Sequence, residues 1–196
     1  MLDVKIPKPT HAFASNTYLL SSNDEVAVID PSVTFRSANV KGNVKYIFLT
    51  HAHFDHMLKL QDWVENTGAQ VLVGYDDAPA LSDSNLNCYR IFTGSNIGYY
   101  GKATTIKEGD SFPLGDKTIS VIDCPGHTKG SVTLICDDCA FVGDTVFAGG
   151  GFGRCDLPGG DFTALRKSIL KLLALPKDTL LYPGHGESVY VNEYKV

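Results

Sequence analysis

The chain has 196 residues, of which 43% are hydrophobic and 20% charged, and its formal net charge is −5. This length and composition are typical of one ordinary globular domain with its own core, so we predict a single domain over 1–196. The negative charge, without a visible Lys/Arg cluster, argues against nucleic acid or an anionic membrane as a partner. We expect a cytoplasmic protein, because no stretch has the apolar length of a secretory signal or a membrane span.

In the first half, short β-favouring runs separated by turn signals predict four strands. These strands lie at 17–20, 25–30, 46–50 and 70–74. A helix is predicted over 57–66, with Gly68 as its stop. Residues 75–103 are rich in Ser, Asn, Gly and Tyr, which predicts an irregular segment with a short helix near 78–82. Such a segment is typical of a binding loop or of a solvated excursion with a few tyrosines packed on the core.

The second half repeats the pattern of strands followed by a helix. Its predicted strands lie at 118–123, 131–136, 140–147 and 179–182. Asp161 is a good N-cap for a helix that Pro176 stops, and an apolar stripe predicts its buried face. The stripe consists of Leu165, Ile169, Leu172 and Leu173. Two groups of strands, each with a helix, indicate two packed sheets covered by helices.

Two short features of the second half have a structural interpretation. Cys136 and Cys139 form a C-x-x-C, but no second pair completes a zinc site, so we predict that they flank the turn of a hairpin. Arg154 and Asp156 lie in a glycine-rich loop, which we expect them to brace as an ion pair.

Five of the six histidines follow predicted strands, where a rigid sheet can present side chains to one cleft. His51 and His53 are two residues apart on an extended segment, so they point the same way and can reach one metal ion together. Asp55 and His56 come after the chain has turned and can serve a second ion. The spacing differs from that of a helical H-E-x-x-H site, whose histidines are four apart.

Three later segments supply further ligand types. His127, Asp144 and His185 each follow a predicted strand, next to a glycine. Together they add nitrogen ligands for each ion and a carboxylate that can lie between them, as a two-metal site requires. The sixth histidine, His11, fits no such position, and we expect it to be structural or exposed.

With these motifs, the sequence resembles the metallo-β-lactamase superfamily, and within it the glyoxalase II-like hydrolases. The resemblance covers most of the chain through a series of motifs. These are Val28-Ile29-Asp30, THAHFDH (50–56), GHTKGS (126–131), GDTVF (143–147), GRCDLPGGD (153–161) and YPGHG (182–186). The resemblance implies an α/β (α+β) fold, the four-layer αββα sandwich, with the site at one edge between the sheets.

The resemblance also implies how the ligands divide. The first metal would be bound by His51, His53 and His127. The second would be bound by Asp55, His56 and His185, and Asp144 would bridge the two. Two such ions can convert a shared water to hydroxide near neutral pH, which attacks a carbonyl, and Asp55 could also orient that hydroxide as a catalytic residue.

The ligand set indicates two divalent ions per chain. Five imidazoles make Zn²⁺ our first choice, with Fe or Mn allowed. Two such ions, two carboxylates and one hydroxide leave the site near +1, which favours an anionic or polarised small-molecule substrate. Asp144 stands where many β-lactamases of this superfamily carry Cys or another ligand, and no export signal is visible, so we do not expect antibiotic hydrolysis. His53 stands where the diiron redox members carry Glu, which favours hydrolysis.

The leading hypothesis is a thioesterase of the hydroxyacylglutathione hydrolase type, acting on a small acyl thioester. The resemblance does not extend to the C-terminal helical domain of full-length glyoxalase II, so thioester hydrolysis is a firmer expectation than glutathione recognition. A lactonase on the same dimetal site is the nearest alternative. A mononuclear-iron persulfide dioxygenase, using His51, His127 and Asp144, is another. A non-catalytic binding module is the last, although such relatives usually lose ligands.

Enzymes need surface beyond their metals to orient a substrate. We therefore predict that residues 75–103 shape the substrate pocket; the prediction fails if Tyr89, Tyr99 and Tyr100 all lie far from the metals. Phe54, inside the metal motif, could form an apolar wall.

Overall fold

The structure is a computed structural model that describes residues 2–9 and 11–195. Within these residues, twelve strands form two six-stranded sheets. The first sheet contains β1 (Asp3–Lys5), β2 (Tyr18–Ser22), β3 (Glu25–Ile29), β4 (Asn43–Leu49), β5 (Gln70–Gly74) and β6 (Ala103–Ile106). The second sheet contains β7 (Ser111–Leu114), β8 (Lys117–Asp123), β9 (Val132–Cys136), β10 (Cys139–Gly143), β11 (Leu180–Pro183) and β12 (Val189–Tyr190). The chain therefore completes one sheet before it begins the other.

Helices connect and cover these strands. The α-helices are α1 (Phe35–Ala38), α2 (Leu60–Thr67), α3 (Tyr89–Thr93) and α4 (Phe162–Leu173). Short 3-10 helices span Phe54–His56, Tyr75–Leu81, Ala148–Gly150 and Val191–Glu193. In the described residues, no helix combines the length and hydrophobicity needed to cross a membrane.

Strand direction places the functional loops at one edge. Strands β3 to β6 run parallel, and β10 runs parallel to β11. Because the carboxyl ends of parallel strands meet at the same edge of a sheet, the loops after β3, β4 and β5 lie together. The loops after β10 and β11 meet in the same way on the second sheet.

Four layers follow from the alternation of side chains along the strands. On β4, Ile47 points outward into a cluster with Trp63 of α2, whereas Phe48 points inward into the cluster between the sheets. Leu134 faces Phe48 from the second sheet within that inner cluster. Leu165 and its neighbours on α4 cover the other side of the second sheet. The predicted αββα sandwich is confirmed.

Most predicted elements are present with small shifts at their ends. Gly68 ends α2 in the left-handed region with φ 63, and the Asp161 side chain accepts a hydrogen bond from the Ala164 N–H, at 2.9 Å. Cys136 and Cys139 pair directly across the predicted hairpin. The C-terminal boundary of the strand predicted over 140–147 was wrong, because β10 ends at Gly143.

The geometry at Gly143 explains that early end. Gly143 has φ 52, and a Cβ there would lie 2.5 Å from the Thr50 Oγ1. This close approach of the two sheets requires glycine and turns the chain, so Asp144 lies in a loop rather than on a strand.

The elements missing from the prediction are short and peripheral. They are β1, β6, β7, β12, α1 and α3. Strand β7 contains Pro113, which removes a backbone donor and is tolerated here because β7 is the edge strand of its sheet. Such strands carry little apolar alternation for sequence reasoning to detect.

Candidate metal centre

The histidine motif is positioned by a buried carboxylate that follows β3. Asp30 is fully buried with φ 53, a conformation that Asp tolerates better than most residues. Its carboxylate accepts hydrogen bonds from the backbone N–H and the Oγ1 of Thr50, at 2.8 and 2.7 Å. It also lies 2.7 Å from Nδ1 of His56. This contact fixes the His56 ring so that Nε2 faces the site.

Three imidazole nitrogens converge at the first ligand cluster. His51 Nε2, His53 Nδ1 and His127 Nε2 lie 2.9–3.2 Å from one another. Nδ1 of His127 lies 2.7 Å from the Arg154 carbonyl oxygen, so it donates there and leaves a lone pair on Nε2. Tetrahedral zinc at about 2.0–2.1 Å from each nitrogen would separate them by about 3.3 Å, close to the observed spacing.

The first cluster is also in the protonation state that metals need. Burial lowers the pKa of His51 well below its ordinary value, and burial together with His127 lowers the pKa of His53 to about 3. Both rings are therefore neutral near pH 7, and neutral imidazole is the form that coordinates metal ions.

A second ligand cluster lies beside the first. Asp55 Oδ2 is 3.1 Å from His185 Nε2 and 3.8 Å from His56 Nε2. Burial opposes the ionisation of Asp55, but His56 and the hydrogen bond with His185 hold its pKa below the usual range. Burial alone would lower the pKa of His56, whereas Asp30, Asp144 and Asp55 raise it well above its ordinary value. These carboxylates favour positive charge at this point, which a divalent ion would supply.

Asp144 lies between the two clusters. Its Oδ1 is 3.3 Å from His56 Nε2, and its Oδ2 is 3.6 Å from His127 Nε2 and 3.7 Å from His185 Nε2. Although burial raises the pKa of this carboxyl, the three histidines hold it well below its usual range. One ionised side chain therefore touches both clusters.

Unpaired buried atoms test whether metal ions fit. His56 Nε2 and Asp144 Oδ1 are buried and have no hydrogen-bond partner among the described residues. Leaving such atoms unpaired is costly, and these two lie 3.3 Å from each other within the candidate ligand set. In each of three groups, the ligand atoms lie within 4.8 Å of one another; one group consists of three His, and the other two combine His with Asp. The residues present thus fit two divalent ions such as zinc or iron.

The structure brings together all the histidines and aspartates that the sequence predicted as metal ligands. No candidate group in the described chain includes Cys136 or Cys139.

A second buried carboxylate braces the site and was missed by sequence reasoning. Asp77 Oδ2 accepts hydrogen bonds from the Ala52 N–H at 2.9 Å and the Thr128 Oγ1 at 2.8 Å. Its Oδ1 accepts from the Gly130 N–H at 2.8 Å. Asp77 therefore ties the loop after β4 to the loop that carries His127. No spacing motif marks it in the sequence, since it lies in a segment without regular periodicity.

Gly184 makes room for the second cluster. A Cβ at this position would lie 2.1 Å from Asp144 Oδ1 and 2.5 Å from His56 Cε1. We expect Gly184→Ala to displace both side chains and to abolish binding of one metal ion while the fold is retained. Metal content per chain and the far-ultraviolet circular dichroism spectrum would measure this. Glu187→Ala is the control, because Glu187 is exposed on the same loop and its backbone is not in the left-handed region. Full metal content in Gly184→Ala would contradict the assignment.

A cavity of about 400 Å³ opens over both clusters. The segment 75–103 contributes Cys88 and Phe92 to its lining, as predicted, and Phe54 forms part of its wall. Tyr89 packs on the Phe54 ring at 5.3 Å between centroids. The other two tyrosines take no part: Tyr99 is buried in the cluster beneath α2, and Tyr100 is 82% exposed outside the cavity lining.

Two further predictions concern the rim of the cavity. Arg154 and Asp156 form a bidentate ion pair with two contacts of 2.7 Å, which confirms the expected pairing. Sequence reasoning missed that the Arg154 side chain also lines the cavity. His11 is exposed and belongs to neither ligand cluster, as expected.

Comparison with known proteins identifies the family. Residues 11–185 match the family model described as Metallo-beta-lactamase superfamily. The chain belongs to the metallo-beta-lactamase superfamily. The chain therefore has a metallo-beta-lactamase fold and is a hydrolase-like enzyme with a candidate His/Asp metal site.

Relatives cover nearly the whole chain. The probable metallo-hydrolase YqgX of Bacillus subtilis (strain 168) is 33% identical over 186 residues, which cover 91% of this chain and 88% of that protein. The hydroxyacylglutathione hydrolase GloC of Haemophilus influenzae is 29% identical over 197 residues, which cover 95% and 92%.

Solved structures of the same superfamily show a similar fold. BLEG-1, a B3 metallo-beta-lactamase, superposes with a TM-score of 0.88 and 30% identity, covering 98% of this chain and 95% of that one. TTHA1623 in a di-iron-bound form superposes with a TM-score of 0.81 and 29% identity, covering 95% and 94%.

Proposed function

We propose that this member of the superfamily is a dimetal hydrolase of small acyl thioesters, of the hydroxyacylglutathione hydrolase type. The observation that carries the proposal is the pair of ligand clusters joined by Asp144 at the floor of one cavity. Support for the reaction type comes from the likeness to GloC over 92% of that protein's length. We further propose that the chain acts on a small molecule, without a nucleic acid or membrane partner.

In this proposal, two bound divalent ions would supply a hydroxide near neutral pH and would stabilise negative charge on the carbonyl oxygen. His51, His53 and His127 would hold one ion, and Asp55, His56 and His185 would hold the other, with Asp144 touching both. The remaining steps follow from the residues of the chain.

Asp55 is the residue best placed to orient the attacking water. Its side chain is 19% exposed, it lines the cavity, and its pKa is held low, so it remains a carboxylate that accepts a hydrogen bond. Its Oδ2 lies 3.1 Å from His185 Nε2, which places both groups at the second cluster. A thioester releases a thiolate, and because a thiol has a pKa of about 8.5 this group leaves without prior protonation. The site therefore needs no dedicated general acid for a thioester.

Metal content provides the first test. We expect two divalent ions per chain, because two ligand clusters are present. Zinc is the expected metal, and iron is the alternative. Removal by a chelator should abolish hydrolysis, and re-addition of two equivalents should restore it. Elemental analysis of gently purified protein measures the stoichiometry. A single iron with full activity would instead favour the mononuclear persulfide dioxygenase, with His51, His127 and Asp144 as its ligands.

A substrate panel provides the test of reaction type. The metal-loaded protein would be assayed with S-lactoylglutathione, uncharged acyl thioesters, an acyl-homoserine lactone, a chromogenic cephalosporin and glutathione persulfide. We expect the highest kcat/KM for a thioester. A higher value for the lactone would favour the lactonase alternative, and hydrolysis of the cephalosporin would place the chain functionally with BLEG-1. Oxygen uptake with the persulfide would support the dioxygenase.

A further inference from the structure

The wall of the cavity indicates which thioester fits. Apart from the residues of the ligand clusters, its lining is dominated by apolar side chains. These are Phe13, Phe54, Phe92, Phe147 and Leu157. Polar groups that could recognise a hydroxyl or a carboxylate on the substrate are correspondingly few.

The aromatic part of this wall is a packed surface. Phe54 contacts Phe13 and Phe92, with 5.9 Å between ring centroids in each pair, and Tyr89 supports it at 5.3 Å. Edge-on and tilted contacts of this kind hold rings in fixed orientations. The wall is therefore organised before a substrate arrives.

Two of these rings remain largely open to solvent. Phe13 is 49% exposed and Phe92 is 47% exposed, although both line the cavity. An apolar group placed between them would remove their exposed surface from water, which is favourable in proportion to the area covered. This property selects for an apolar substituent near the reacting carbonyl.

The charge of the wall points the same way. Arg154 is the one Lys or Arg residue in the lining, within the described residues, and its guanidinium is paired with Asp156 through two contacts of 2.7 Å. The Cys88 thiol nearby stays neutral, because burial raises its pKa to about 11. Glutathione carries two carboxylates, and away from the ligand clusters these would meet no unpaired cation in this wall.

From the apolar wall and the paired Arg154, we infer that the preferred substrate is a thioester with an uncharged, apolar acyl group, of the size of a phenylacetyl or medium-chain acyl unit. This inference rests on the proposed thioester hydrolysis and specifies its substrate class. The acyl group lies between Phe13 and Phe92, with its carbonyl toward the ligand clusters. The thiol portion needs no charge.

Acyl thioesters of N-acetylcysteamine test the apolar preference, because they share one uncharged leaving group. We expect kcat/KM to rise at least about tenfold from acetyl to phenylacetyl, since a single added methylene can be worth about tenfold in an apolar pocket. We also expect S-lactoylglutathione to be a poorer substrate than the phenylacetyl thioester. Equal kcat/KM across the acyl series, or a preference for S-lactoylglutathione, would overturn the inference.

Variants separate the wall from general effects. Phe92→Ala should lower kcat/KM for the phenylacetyl thioester about tenfold and change the value for the acetyl thioester less than about twofold, and Phe92→Leu should restore most of the loss. Ile91→Ala is the matched control, because Ile91 is 54% exposed on the same helix but does not line the cavity. Asp156→Ala should release Arg154 and raise kcat/KM for S-lactoylglutathione severalfold. An unchanged value would contradict the role assigned to the ion pair.

Binding distinguishes failure of this inference from failure of the proposed function. If no thioester is hydrolysed, the proposed function fails, and calorimetric titration with the uncharged thioether S-benzyl-N-acetylcysteamine then tests the wall alone. Weaker binding to Phe92→Ala than to Ile91→Ala supports the wall, whereas equal binding refutes it. If thioesters are hydrolysed without an apolar preference, the reaction type stands and the substrate class is wrong.

Discussion

Replacement of Asp144 by Ala is expected to lower kcat/KM about a thousandfold, which corresponds to about 4 kcal/mol at about 1.4 kcal/mol per factor of ten. The reason is that Asp144 approaches His56, His127 and His185 and therefore contacts both ligand clusters. His53→Ala removes a nitrogen from the first cluster alone, and His185→Ala removes one from the second. Asp144→Ala should reduce the content of both metal ions, whereas each histidine variant should reduce one.

Steady-state kinetics and elemental analysis of the same preparations measure this difference. Asp178→Ala serves as the control, because Asp178 is exposed and lies outside the ligand clusters. Normal metal content together with a normal rate in Asp144→Ala would show that the carboxylate does not join the two ions.

The second large effect concerns stability. Asp77→Ala is expected to lower the free energy of unfolding by about 3 kcal/mol or more, because a buried unsatisfied donor costs about 1–3 kcal/mol. It would leave donors at Ala52, Thr128 and Gly130 without their acceptor. For a chain of this size, such a loss lowers Tm by about 6–12 °C. Asp77→Asn keeps one carbonyl oxygen and should lose less.

Thermal unfolding followed by circular dichroism measures these shifts in Tm. Because Asp77 fastens the loop that carries His127, the Ala variant should also bind metal ions more weakly at the three-histidine cluster. A Tm within about 2 °C of the original protein would mean that other contacts hold the two loops together, given that about 1 kcal/mol shifts Tm by about 2–4 °C.

Features determined by neighbouring residues were accessible from the sequence. The two-residue spacing of His51 and His53 predicts that their side chains converge, and the structure places their ligand nitrogens 3.1 Å apart. The cap at Asp161 and the stop at Gly68 are likewise local, since each depends on the residue itself and on the adjoining turn. Glycines beside the ligands marked the loops, although their spatial role was visible only in the fold.

Features that depend on distant contacts were not accessible. Phe13 and Leu157 line the same cavity although they are 144 positions apart in the sequence. Asp77 acquires its role from partners on two other loops, and the early end of β10 depends on the approach of Thr50 to Gly143. Tyr99 illustrates the same limit, because an aromatic residue in an irregular segment can equally join the core or a pocket. The positions of these residues are set by how the two sheets and their loops pack together.

The sequential construction of the two sheets has a consequence for how the site comes into being. Each sheet pairs its strands within one continuous half of the chain, so neither sheet takes a strand from the other half. Neither half alone completes a ligand cluster: His127 of the second half joins His51 and His53, and His185 joins Asp55 and His56. The site is therefore completed only when the two halves dock. A bound ion would link ligands from both halves, and its binding free energy would add to the free energy of unfolding.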